Sequence, residues 1–172
     1  MPENLPLVAN VRAQTFYVAL TVARCWHCGV STRLLALAMP ENHETQDAET
    51  QTGAEEGGES GPPAWQRTNM HALLFYVQEL PGDIQKRLRE ILPSFRLAHS
   101  PALLNSYWAN HCEHCGSLLG DHELHCEPEG AFMPASEAAA ANIQLVLIEA
   151  PFEAAAAGYA FEPEFFAFMR RS

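Results

Sequence analysis

The pentapeptide CWHCG at residues 25–29 returns as CEHCG at residues 112–116, with 83 residues between Cys28 and Cys112. Two residues between cysteines let one tight turn present both sulfurs to a single ion. The glycine after the second cysteine permits a positive backbone φ, so the turn can fold over that ion. A tetrahedral zinc ion takes four such ligands, with sulfur at about 2.3 Å. Cys25, Cys28, Cys112 and Cys115 are therefore the candidate ligands of one structural Zn2+, since four thiolates leave no open coordination position. Such a site contributes roughly 10–16 kcal/mol of apparent binding free energy, coupled to folding. It would tie the first hairpin of the chain to its second half.

The flanks of each pentapeptide read as strands. Thr15–Arg24 (TFYVALTVAR) is rich in β-branched and aromatic residues and runs into Cys25. Val30–Ala38 is its return strand, ended by Pro40. Ser106–His111 leads into the second knuckle and Ser117–Leu119 leaves it. His71–Gln78 reads as another buried strand. After Pro81-Gly82-Asp83, Ile84, Leu88, Ile91 and Leu92 share one helical face, and Pro93 stops the helix. Lys86, Arg87, Arg89 and Glu90 lie largely off that face, as a solvated surface. Phe95–His99 reads as a short strand and Gly120-Asp121 as a turn. Ser136–Ala141 reads as a short helix capped by Ser136, and Ile143–Glu149 as a strand. Glu153–Ala157 reads as a further short helix with Gly158 at its C-terminal end. The aromatic tail FEPEFFAFMRRS is expected to dock on the core.

These elements predict an α+β fold: a mostly antiparallel sheet, a few short helices and a split zinc ribbon built from the two CxxCG knuckles. At 172 residues the chain fits a single domain, 1–172. Residues 41–63 are acidic and Gly-rich with almost no apolar side chains. They predict a disordered surface loop within that domain.

The paired knuckles resemble the zinc-ribbon class over roughly residues 15–38 and 107–126. The string YWANHCEHCGSLLGDHELH (107–125) is similar to a zinc-ribbon segment of uncharacterised bacterial proteins, in which CxxCG is followed by a Gly-Asp turn. The resemblance implies a ribbon around one zinc ion and brings no activity with it, because zinc ribbons serve many tasks. The wide spacing of the pairs predicts a ribbon merged into a larger domain. The rival reading of CxxC is redox chemistry. Thioredoxin-like proteins place the motif at a helix start inside a βαβ pattern, which this sequence lacks.

A second cluster lies in GDHELHCEPEG (120–130). His122, His125 and Cys126 are candidate ligands of a catalytic metal, with Glu123 or Asp121 as general base. On a strand, His122 and His125 point to opposite faces. On a helix, His122, His125 and Cys126 share one face. The competing reading packs Leu124 and Cys126 inward and leaves both histidines at the surface. His27 and His114 occupy equivalent places in the knuckles and read as exposed turn residues. No P-loop, GxGxxG, HExxH or GxSxG motif is present.

Charge narrows the function classes. The formal net charge is −11, and no Lys or Arg occurs from Leu97 to Met169. Phosphate backbones need cations to displace counterions, so the second half argues against nucleic-acid binding. The N-terminus shows no secretory signal pattern, and no apolar run approaches the roughly 20 residues of a membrane span. The expectation is a cytoplasmic, non-catalytic, zinc-stabilised binding protein that engages a basic protein partner, as an inhibitor, immunity protein or adaptor. The first alternative is a metal-dependent hydrolase using residues 120–126. The second is a nucleic-acid-binding ribbon using Arg12, Arg24, Arg33 and Arg67 with Trp26 and Trp65.

Overall fold

The computed structural model describes residues 9–46, 65–100, 105–127, 129–161 and 165–171. The first part of the chain forms β1 (Val11–Ala13), β2 (Phe16–Arg24), β3 (Ser31–Met39), β4 (Glu44–Thr45), β5 (Gln66–Arg67) and β6 (Ala72–Glu79). Then come α1 (Gly82–Ile91), β7 (Phe95–Ser100), β8 (Asn105–His111) and β9 (Leu118–Leu119). A π-helical turn (His122–Cys126) and α2 (Glu137–Ala140) lead to β10 (Gln144–Ile148) and β11 (Phe152–Phe161). A 3-10 turn (Phe166–Phe168) and β12 (Arg170–Arg171) follow.

The strands join one open sheet in the order β12-β10-β2-β3-β6-β11-β1-β4-β5, with β8 branching from β6 and carrying β7 and β9. Every pairing is antiparallel except β10 with β12. β3 explains why apolar residues run without a break. Its Leu35, Leu37 and Met39 enter one core with Ile84 and Leu88 of α1. Its Leu34, Ala36 and Ala38 enter a second core with Phe132, Ile143, Phe166 and Met169. A strand buried on both faces loses the polar alternation of a one-sided strand. Burial of Phe166 and Met169 places the tail on that second core, as expected.

α1 follows its sequence signals. Pro81 is extended just before the helix, Asp83 sits in its first turn, and the Leu92 N–H closes it on Leu88 O. α2 is capped as expected, with Ser136 Oγ accepting from Ala139 N–H at 3.1 Å.

Two expectations change. The helix expected over Glu153–Ala157 is instead the middle of β11, between β6 and β1. Alanine favours helix locally, but Ala154, Ala155 and Ala156 are buried there as small ladder residues. Gly158 does not end a helix. It leaves room for the Phe75 ring, which occupies the space a Cβ would need. Of the acidic stretch 41–63, Glu44–Thr45 form a strand that pairs with both β1 and β5, and 41–43 and 46 flank it. The remainder, 47–63, lies outside the described residues.

β6 changes neighbours along its length. Leu73 and Leu74 pair with β3, whereas Val77 pairs with Trp108 of β8. Between them Tyr76 takes a positive φ of 51°, and its N–H donates to Asp121 Oδ2 at 2.7 Å. Asn110 joins β8 to β3 in a similar way. Its Oδ1 accepts from Leu35 N–H at 2.8 Å and its Nδ2 donates to Leu35 O at 2.9 Å. This buried amide stands in for a missing ladder step two residues before Cys112, and so sets where the second knuckle lies.

Candidate metal centre

The first knuckle closes the β2–β3 hairpin, and the second connects β8 to β9. Their backbones repeat one pattern. Gly29 N–H donates to Cys25 O at 2.9 Å, and Gly116 N–H to Cys112 O at 3.0 Å. Cys25 N–H donates to Val30 O, and Cys112 N–H to Ser117 O. Gly29 and Gly116 have φ of 75° and 76°, the left-handed region that glycine enters without a steric penalty. In each knuckle the second residue after the first cysteine also turns its N–H toward that sulfur. His27 N–H reaches Cys25 Sγ at 3.3 Å, and His114 N–H reaches Cys112 Sγ at 3.4 Å. Such donors favour a thiolate.

The four sulfurs converge, all within 4.8 Å of one another. Cys25 and Cys115 are 3.6 Å apart, as are Cys28 and Cys112. A tetrahedron with sulfur at about 2.3 Å from its centre has edges of about 3.8 Å. The spacing therefore fits one metal ion. None of the four is in a disulfide. The proton affinities are uneven across the sulfurs. Hydrogen bonds from Ser117 pull Cys115 down to about 5, and backbone donors lower Cys112. At Cys28 a backbone donor at Val30 is outweighed by burial and the three neighbouring sulfurs, which push it up to about 11. Crowded thiolates resist a further negative charge, and a divalent cation relieves that repulsion.

The two knuckles are also joined by groups outside the cysteines. Glu113 binds Arg33 through four short contacts, and Arg33 holds its carboxyl below the usual carboxylate range. Sequence reading missed Glu113, Thr32 and Asn110. The available signal was a charged residue inside one knuckle only; Thr32 lies in the polar start of β3 (Ser31-Thr32-Arg33) and Asn110 in the mixed strand NSYWANH, so neither stands out.

The 120–126 cluster does not converge. Among the described residues, the four cysteines are the one group of three or more His, Cys, Asp or Glu ligand atoms close enough for an ion. The segment is neither the strand nor the ordinary helix weighed above, nor does Gly120-Asp121 make a plain turn. It is a π-helical turn, started by Leu124 N–H on Gly120 O. The wider winding separates the candidates. His122 is exposed, with Nε2 3.8 Å from Glu127 Oε1. Cys126 is also exposed. His125 is buried between the rings of Phe75 and Phe132, at centroid distances of 5.3 and 5.0 Å. Leu124 is inward as expected, whereas Cys126 and His125 exchange the places expected of them.

His125 Nδ1 is buried without a hydrogen-bond partner, and burial pulls the imidazole down to about 3. Asp121 is buried too. Desolvation raises its carboxyl to about 7, against the lowering effect of the Tyr76 N–H.

Two further histidines make local contacts. His27 is exposed and packs edge-on to Trp26. His111 places Nδ1 between Ser94 O and Ala109 O. Arg12 and Trp65 do meet, with the guanidinium 4.1 Å from the ring, but Arg12 also pairs with Glu44 at 3.1 Å. No helix among the described residues is long and apolar enough to cross a membrane. No family model matches the chain, and no match is found among curated proteins or solved structures.

Proposed function

We propose that this chain is a zinc protein: Cys25, Cys28, Cys112 and Cys115 hold one Zn2+ as a split ribbon, and the ion is structural. The observation that carries the reading is the convergence of four sulfurs from two turns of the same backbone form. A bound zinc would cross-link the β2–β3 hairpin to β8 and β9, and four thiolates would leave it no site for a substrate. Cysteines kept as metal ligands suit a reducing compartment, which supports the cytoplasm as the place of work.

The wider role we propose is a non-catalytic binding protein for a basic protein partner, of the inhibitor, immunity or adaptor kind. Its support is the net charge of −11, since charge complementarity steers association. The hydrolase alternative loses its basis where His122, His125 and Cys126 diverge.

The test is elemental mass spectrometry on chain purified without chelator, with reactive thiols counted on the same sample. One zinc per chain with Cys126 alone reacting fast is the expected result. Absence of metal with oxidised CxxC pairs would replace zinc by redox chemistry. Iron in place of zinc would keep the centre and change its ion, since tetrahedral sulfur sites take either.

A further inference from the structure

Contacts between the knuckles run in both directions. From the first, Trp26 donates its Nε1–H to Leu118 O, just beyond the second knuckle, at 2.9 Å. From the second, Glu113 N–H donates to Thr32 Oγ1 at 3.0 Å, and His114 Nε2 lies 3.1 Å from Ser31 O. The densest contact is between Glu113 and Arg33. The Arg33 backbone N–H donates to Oε1 at 2.8 Å and Nη2 donates to Oε2 at 2.8 Å. Nε lies 3.2 and 3.1 Å from the two oxygens.

An exposed ion pair by itself stabilises a fold little. This one differs in three respects. It is bidentate, which fixes orientation as well as distance. It includes a backbone donor, so it positions the main chain of β3. Its carboxylate belongs to the residue bonded to Cys112, so any movement of the pair moves that ligand.

We propose that Glu113 is a positioning residue for the metal. Together with Arg33, it holds the second knuckle against the first so that the four sulfurs keep their spacing whether or not an ion is bound. The proposal rests on the four-cysteine reading. A preassembled site binds more tightly because the ion need not order the two turns itself. Groups that orient metal ligands from outside typically change metal affinity by about 10–100-fold when removed.

The test is Co2+ titration of the reduced full-length chain against a competing chelator. Thiolate-to-cobalt and ligand-field bands report the geometry, and far-UV circular dichroism follows the fold. Glu113→Ala is expected to bind Co2+ at least about tenfold more weakly than wild type, with altered ligand-field bands and an unchanged fold. Glu113→Gln keeps an acceptor for the Arg33 N–H, so it is expected to fall nearer to wild type than to Glu113→Ala. Equal affinity of wild type and Glu113→Ala overturns the positioning role. A Gln variant as weak as Glu113→Ala, with Arg33→Ala unchanged, also overturns it, because the carboxylate would then act by its charge and not through Arg33. Failure of the wild-type chain to bind Co2+ overturns the four-cysteine reading and this proposal with it. Should Glu113→Ala lose its fold, Arg33→Ala carries the test. It keeps the backbone donor and is expected to weaken Co2+ binding severalfold; unchanged affinity overturns the proposal.

Discussion

At the knuckles, Cys25 and Cys112 lie 87 positions apart and head turns with the same hydrogen-bond pattern. Over residues 121–126, Asp121, His122, His125 and Cys126 are almost adjacent, yet two are buried and two exposed. Proximity in sequence is therefore a poor guide to shared coordination. What converts nearby ligands into a site is a backbone form that aims them at one point. A CxxCG turn does this within five residues, and a second copy supplies the other half. A π-helical turn spreads side chains around a wider cylinder and aims them apart.

The largest effect should come from removing one half of the converging site. Cys112→Ser with Cys115→Ser is expected to take zinc from one ion per chain to none. A large part of the roughly 10–16 kcal/mol that a structural zinc supplies would then appear as lost stability in chemical denaturation. The matched variant, His122→Ala with Cys126→Ser, is expected to keep its zinc. Loss of metal from this second variant, or retention in the first, would reverse the comparison between the two regions.

Next in size is the packing of the turn. His125 fills space between Phe75 and Phe132, so His125→Ala should destabilise by about 2–4 kcal/mol, as large-to-small core changes do. His122→Ala removes an exposed ring and should stay within about 0.5 kcal/mol. Urea denaturation of both variants at constant zinc decides it. Equal losses would mean that the two histidines share an environment.

What the sequence discloses about this molecule is local. β2, β3, β6 and α1 are legible because their apolar periodicities are complete within ten residues. The knuckles are legible because each carries its spacing and its glycine together. β11 is not, because alanine's helix preference is local whereas its partner is distant: Ala155 pairs with Glu79. Asn10 binds the backbone of Ala156 through both ends of its amide, 146 residues away, and Asn110 does the same to Leu35 across 75. An asparagine read in sequence gives no sign of which strand it will replace. The Arg33–Glu113 pair spans 80 residues for the same reason. The charges are visible, but their meeting is set by topology.

In the wild-type chain the smallest effect is a pH dependence, because two opposed groups hide it inside the turn. His125 is lowered to about 3 by burial, from an ordinary value near 6.5. As pH falls from about 6.5 toward 3, the unfolded chain takes up a proton that the folded chain refuses, and stability falls. Asp121 is raised to about 7 from 3.8. Its contribution is full below about 3.8 and is lost as pH rises toward 7, because the unfolded chain ionises first. Between about pH 4 and 6.5 the two slopes oppose each other, so the wild-type chain shows little of either. Single substitutions should separate them. Asp121→Asn leaves the histidine slope, and its stability relative to wild type should rise with pH from 4 to 7. His125→Phe keeps the stacking and leaves the carboxylate slope, so its advantage over wild type should grow as pH falls from 6.5 to 4. Protonation of the cysteines and loss of metal are common to all three chains and drop out of the differences. Parallel curves for the two variants would show that folding shifts neither group from its ordinary value, and the turn would then be a packing element alone.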